Sequence, residues 1–330
     1  MKASPASVTV IGVGAVGSRV LRQLGPLVTA HGATLAAYDV RPMRLGTTSR
    51  VQVLTAGQSA QAEVVVLATP SPQVDRADEL LRQGCHVVCT SDDVADLRQL
   101  CDLGSLAQAN GVALVAGAAV TPGLSGLLAR HLSRRLDRVD EVHVAVHGTG
   151  GPACARQHHR ALGGRALGWH DGDWLHRPAG SGRELCWFPE PIGPRDCYRA
   201  ELGDALLLHR AFADVQRISV RMSATRRDRL TSRLPMLSPP HDEGGIGALR
   251  VEVRGWKGPR RVALIAGESE RAAVTTGAVA AAFAMAAPGL EPGLVLAGDD
   301  RVPTGALLRD ISTRGVRLWE FAGDDHEVMT

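Results

Sequence analysis

The sequence predicts an α/β fold: a Rossmann-type doubly wound parallel sheet with an inserted α+β domain built on a mainly antiparallel sheet. Three observations predict it. The first 120 residues alternate short Val- and Ala-rich runs with helix-period segments, as a parallel sheet covered on both faces requires. A glycine motif, Gly12-x-Gly14-x-x-Gly17, stands between the first run and the first helical segment. Past Pro122-Gly123 the period changes to two, with Val142, Val144 and Val146 alternating with His143, Ala145 and His147, as in a half-buried strand.

The elements follow in order. Residues 8–13 are a β-rich run. Residues 15–28 carry Val16, Val20, Leu24 and Leu27 at helical spacing. Further strands are expected at 34–39, 51–54, 64–68, 86–89 and 112–116, with helices at 74–83 and 94–109. Strand and helix in alternation imply right-handed parallel crossovers. The inserted part opens with a helix at 124–136 and the strand around 142–147. Glycines 148–151 break the chain before a helix at 152–162. Residues 163–196 read as irregular, strands are expected at 217–222, 247–254 and 260–266, and 238–245 is a loop. Helices at 272–287 and 304–313 and a strand at 316–321 close the chain. The expected domains are 1–123 for dinucleotide binding, 124–271 inserted for the substrate, and 272–330 returning to the first domain.

Composition narrows the function classes. A chain of 330 residues suits two domains. A net charge of +3 gives no electrostatic case for nucleic acid. The Ala-rich run at 278–288 falls short of the roughly 18 apolar residues of a membrane span, so it is expected to be a buried helix. MKASPASVTVIGVG does not read as a signal peptide. Cys85, Cys89, Cys101, Cys154, Cys186 and Cys197 include no two pairs at zinc spacing. The expectation is therefore reduced structural cysteines, a cytoplasmic protein, no metal and no membrane partner.

The glycine motif carries the chemistry. Gly12 permits the turn, Gly14 lets a pyrophosphate approach the backbone, and Gly17 lets the helix pack on its strand. Ala15 and Val16 open that helix, whose free N–H groups and dipole face an anion. Asp39 closes the second strand, where a carboxylate binds ribose hydroxyls. This favours NAD, whereas Arg41 and Arg44 keep NADP open as holders of a 2′-phosphate. Ala68-Thr69-Pro70 and Thr90-Ser91 end two further strands at the edge where ligands bind. Ser91 or Asp92 also reads as a plain helix cap.

V-V-C-T-S-D-D-V, then G-A-A-V-T-P-G-L-S from Gly117 to Ser125 followed by a helix, resembles the saccharopine dehydrogenase and related reductase group. The run G-I-G-A-L-R-V-E-V-R-G near Ile246 is similar too. The resemblance spans the chain in outline, with its specific motifs in the first 130 residues. It implies NAD(P)-dependent interconversion of an imine and a secondary amine joining two amino-acid-like parts. The chain is shorter than the classical members, and their residues for a dicarboxylic amino acid have no match here. A non-catalytic dinucleotide sensor and a reductase acting on a ring imine or diamino acid stay open as alternatives.

The segment Gly148–Arg160 is the expected substrate contact. Pro152 at a helix start after glycines exposes N–H groups to an anion. Arg156 and Arg160 share a helix face and could hold a carboxylate, with Pro122 and Gly123 as further contacts. His159 lies beside that face and is the first proton carrier, with His147 the second. His158 is turned about 100° away from it. A solvated Arg-rich helix is the plain alternative. Trp169, Trp174 and Trp187 either line an apolar pocket or form a small core. His170, Asp171, Asp173 and His176 lack a metal spacing. The expected partner is a small carboxylate-bearing molecule, with a homodimer left open.

Overall fold

Strands that hide both faces build the centre of the first sheet. In chain order its elements begin with β1 (Ser7–Ile11), α1 (Ala15–Ala30), β2 (Thr34–Tyr38), β3 (Val51–Val53), β4 (Val64–Leu67) and α2 (Val74–Arg82). Then come β5 (His86–Cys89), α3 (Val94–Asp102), α4 (Gly104–Ala109) and β6 (Ala113–Ala116). The middle holds α5 (Leu124–Ser133), β7 (Arg138–His147), α6 (Pro152–Ala161), β8 (Arg165–His170), β9 (Asp173–Pro178), β10 (Glu184–Trp187) and β11 (Pro194–Arg199). After these follow α7 (Asp204–Ala211), β12 (Arg217–Ser223), α8 (Arg226–Thr231), β13 (Ala248–Lys257) and β14 (Arg260–Glu268). The chain closes with α9 (Ala272–Ala286), β15 (Gly293–Leu296), α10 (Thr304–Thr313), β16 (Leu318–Ala322) and β17 (Asp325–Val328). This computed structural model describes residues 4–30, 32–41, 51–55, 62–236, 239–322 and 325–328; Arg44 and Ser238 lie outside them.

The first sheet is parallel, in the order β15-β6-β5-β4-β1-β2-β3. Every side chain of β4 and β6 is buried, which only helices on both faces allow. One of these is α9, buried almost all round and packed on α1. Gly277 makes that approach close, because a Cβ there would sit 2.6 Å from the Arg19 Cβ. The segment Ala272–Gly289 is long and apolar enough to cross a membrane, yet 72% of it is buried inside the fold.

The second sheet runs β10-β11-β12-β7-β13-β14-β16-β17, with β8 and β9 joined beside β12. Its inner face buries Val142, Val144 and Val146 of β7 with Leu249, Val251 and Val253 of β13 and Ile218, Val220 and Met222 of β12. Helix α5 packs on this face. Strand period two therefore puts Glu141, His143 and His147 on the opposite, outer face.

The second sheet is mainly antiparallel, as expected, with β7 and β12 its parallel pair among the described residues. Three features differ from the sequence expectation. Residues 163–196 are not irregular: they hold β8, β9 and β10 and the start of β11. The helix expected at 94–109 breaks into α3 and α4 at Gly104, where a Cβ would meet Leu294 of β15 at 2.9 Å. The last sixty residues do not all return to the first domain. β15 joins the first sheet, whereas β16 pairs with β14 of the second.

Candidate functional site

The glycine turn follows β1. Gly12 has φ of 92°, and a Cβ there would lie 2.8 Å from the Ala68 carbonyl carbon. A Cβ on Gly17 would overlap the Gly12 carbonyl oxygen. Gly14 differs from both, with no atom within 4 Å of where its Cβ would stand. Tight packing thus fixes two of the glycines, and the middle one leaves backbone open at the first turn of α1, beside Ala15 and Val16. Asp39 is tied to the same turn. Its Oδ2 accepts the Val13 N–H at 2.7 Å and its Oδ1 the Arg41 N–H at 2.8 Å. The Arg41 guanidinium stands 3.6 Å away. Burial pushes the Asp39 pKa up, but the Arg41 and Val13 N–H groups and the Arg41 charge outweigh it and hold the pKa below the usual value.

The ends of β4 and β5 form the next part of the edge. Gln73 donates from Nε2 to the carbonyls of Leu67 (3.2 Å) and Thr69 (2.7 Å), fixing the turn after Ala68 with Pro70 exposed. Thr90 Oγ1 donates to the Leu67 carbonyl at 3.0 Å. The hydroxyls of Ser71 and Ser91 meet at 2.7 Å. The cap of α3 is neither Ser91 nor Asp92. Asp93 accepts from the N–H groups of Ala95 and Asp96, which leaves the Asp92 carboxylate for another partner.

That partner is α6. Gly151, at φ 130°, starts the helix against the glycine turn, with its Cβ position 2.7 Å from the Ala15 Cβ. Gly148 lies equally close to Gly247, and Gly150 faces the backbone at Ala273. These glycines serve approaches within the chain, where the sequence suggested exposure to an anionic ligand. The side of α6 turned to β5 and α3 carries Cys154, Gln157 and His158. Gln157 donates to Asp93 Oδ2 at 3.1 Å. His158 Nε2 lies 3.4 Å from Asp92 Oδ2 and 3.7 Å from Cys154 Sγ. His158 is 5% exposed, and its Nδ1 has no partner among the described residues. Burial opposes charge on this ring, but Cys154 and Asp92 hold its pKa well above the ordinary value.

The expected orientation of α6 is therefore corrected by one residue. Arg156 and Arg160 are exposed, and Arg160 donates to Gln157 at 3.3 Å. His159 meets the Leu234 carbonyl at 3.0 Å. A step of about 100° per residue turns these three away from the face that holds His158. His147 sits on the outer face of the second sheet, bonded to Ser223 Oγ at 2.6 Å and tilted against Phe188. Burial, with Arg195 nearby, lowers its pKa.

Pro122 and Gly123 are buried in the turn joining the two sheets. They border a cavity of about 10 Å³ shared with Ser125, Asp204 and Gly298. The Ser125 hydroxyl donates to Asp204 Oδ1, while Oδ2 has no partner among the described residues. Burial pushes the Asp204 pKa up to about 7, against the Ser125 hydrogen bond. Trp169 stacks on His209 at 3.8 Å with Trp174 edge-on, whereas Trp187 is 60% exposed. Trp169 also lines a groove of about 420 Å³ on the outer face of the second sheet, beside Arg177, Arg199 and Arg221. His170 is paired to Asp171 at 3.0 Å and accepts from Arg217.

Sequence reasoning missed Asp92, Cys154 and His158 as a group, and Ser125 with Asp204. The spacing of Cys154 and His158, one helical turn apart, was the available signal.

No family model and no curated protein matches the chain. Among solved structures it is similar to saccharopine dehydrogenase (L-Glu forming) from Saccharomyces cerevisiae. The identity is 13%, over 98% of this chain and 100% of that one, with a TM-score of 0.66. C. glutamicum DAP dehydrogenase in complex with DAP is 14% identical, over 94% and 99% of the two chains, with a TM-score of 0.53. An engineered D-amino acid dehydrogenase bound to NADP+ is 14% identical, over 93% and 98%, with a TM-score of 0.51. At this identity the likeness is one of fold: the chain has the two-sheet, Rossmann-type fold of these dehydrogenases over nearly its whole length.

Proposed function

We propose that the chain is an NAD(P)-dependent oxidoreductase that moves a hydride between the nicotinamide and a carbon–nitrogen bond of an amino-acid-like substrate. The observation that carries this reading is the glycine turn, open at Gly14 and tied to an Asp39 whose charged form is favoured. Gly12, Gly14, Ala15, Val16 and Gly17 would receive the pyrophosphate and Asp39 the ribose hydroxyls. The charged Asp39 carboxylate supports NAD(H) ahead of NADP(H), with the exposed Arg41 guanidinium beside it keeping NADP(H) open. Thr69, Pro70, Thr90 and Ser91 would border the nicotinamide half.

The substrate is proposed to lie where α6 crosses the carboxyl edge of the first sheet. Reducing an imine puts a hydride on carbon and a proton on nitrogen. We assign the polar wall of that cleft to Asp92, Cys154 and His158, in place of His159 and His147, because α6 turns this face to β5. The ligands bound in two structural neighbours, DAP and NADP+, support the substrate and cofactor classes. The test is NADH titration by fluorescence, followed by NADH oxidation with a panel of keto acids paired with amino acids. Saturable binding and turnover of one pair support the reading. Absence of dinucleotide binding by folded protein overturns it.

A further inference from the structure

Asp92, Cys154 and His158 offer three different donor atoms at one point between the two domains. The atoms all lie within 4.8 Å of one another. The separation of 3.4 Å between imidazole and carboxylate is long for a charge-assisted hydrogen bond, which closes to about 2.7–2.9 Å between nitrogen and oxygen, and the imidazole and sulfur stand 3.7 Å apart, at weak hydrogen-bond distance. Both separations are the right size for neighbouring ligands of one ion. A tetrahedral ion with bonds of about 2.0 Å to nitrogen and oxygen and about 2.3 Å to sulfur sets its ligands roughly 3.3–3.6 Å apart.

We propose that Asp92, Cys154 and His158 form a binding site for a zinc-class divalent cation bridging the two domains. A thiolate and an imidazole select such an ion over magnesium or calcium, which prefer all-oxygen sites. Cys154 and His158 stand one turn apart on α6, so the helix presents both ligands together. Asp92 is left available because Asp93 caps α3. Among the described residues the hydrogen-bond partners of His158 lie at Nε2, on the side of the other two donors, and Nδ1 has none. Asp92 and Cys154 are partly accessible, which gives an ion a way in. Binding releases the Cys154 thiol proton and any proton on His158 Nε2, and the cation takes their place. Three protein ligands leave a fourth position for water or a substrate atom.

The test uses the full chain, stripped with a chelator and titrated with Co²⁺. Uptake of one equivalent is expected, with a near-ultraviolet sulfur-to-cobalt band and the strong visible bands of a tetrahedral ion, all removed by added Zn²⁺. Cys154→Ser should abolish the sulfur band. Asp92→Asn and His158→Ala should each weaken Co²⁺ at least about tenfold, with His159→Ala unchanged. Circular dichroism of each variant confirms that it is folded. Failure of wild-type protein to take up one equivalent with the sulfur band overturns the proposal, as does unchanged affinity in folded Cys154→Ser and His158→Ala. NADH titration of stripped and loaded protein separates the two readings: NADH binding without cobalt uptake removes the metal and keeps the dinucleotide.

Discussion

His158 of the second domain and Asp92 of the first meet across the cleft, with Nε2 3.4 Å from Oδ2. The contact places a buried imidazole beside the end of β5, where Ser71 and Ser91 also touch. The residue next to His158 in sequence turns instead to Leu234. A one-residue step thus separates the histidine at the cleft from the one at the edge of α6, and mutagenesis can read the difference.

The two histidines should behave differently in turnover. His158→Gln is expected to lower kcat by at least about tenfold, with NADH affinity nearly unchanged, because its target is the reacting end. His159→Gln should stay within about twofold. Steady-state kinetics on the substrate pair found in the panel decides, and the reverse order would return His159 to the site.

Two glycines of the same turn should fail in different ways. Gly14→Val adds atoms to open space, so the fold should survive while NADH affinity falls at least about a hundredfold, or about 2.7 kcal/mol. Gly17→Ala puts a Cβ into the Gly12 carbonyl and should lower the midpoint of thermal unfolding. Fluorescence titration and thermal melts on both variants make the comparison. Unchanged NADH affinity in folded Gly14→Val would remove the pyrophosphate assignment.

Cofactor choice should rest on Asp39. Wild-type protein is expected to favour NADH, and Asp39→Ser should move the ratio toward NADPH by about tenfold, or about 1.4 kcal/mol. Arg41, released from its carboxylate, would then meet the 2′-phosphate. A wild type that prefers NADPH tenfold would contradict the reading.

Stability should fall as pH rises from about 5 to 8. Burial raises the Asp204 pKa to about 7 and that of Glu268 to about 8, from ordinary values of 3.8 and 4.5. In that window the folded chain keeps protons that the unfolded chain has released, so the slope of unfolding free energy with pH is negative for both groups. The contribution is fully present below the unfolded values and lost as pH passes the folded ones. Asp204→Asn and Glu268→Gln together should flatten the slope, as read by urea unfolding at several pH values. An unaltered slope in the double variant would show that neither group is held protonated.

The first domain was legible because its signals are local. Gly12, Gly14 and Gly17 fall between a Val-rich run and a helical period, and Asp39 follows at the end of the next strand. Residues 165–199 were not legible as strands. Gly172, Pro178, Gly180, Gly182, Pro191 and Gly193 interrupt them, and the pairing that makes them strands is supplied by β12 and by one another. The one-residue turn of α6 was equally hidden. Helical period gives relative directions around an axis, and tertiary contacts such as the packing of Gly151 on Ala15 and the Gln157–Asp93 bond fix which direction meets the other domain. Asp92 and His158 come together through those tertiary contacts.

The return of β15 to the first sheet and of β16 to the second has a consequence for dissecting the protein. No single cut yields two fragments that each hold one sheet whole. A piece comprising 1–123 would lack β15 and leave the edge of β6 unpaired, although all four of its side chains are buried in the intact chain. Such a bare, apolar edge invites pairing between molecules. A working half-protein would have to be assembled by grafting residues 272–296 back onto 1–123 through a new linker, and simple truncation should give aggregates.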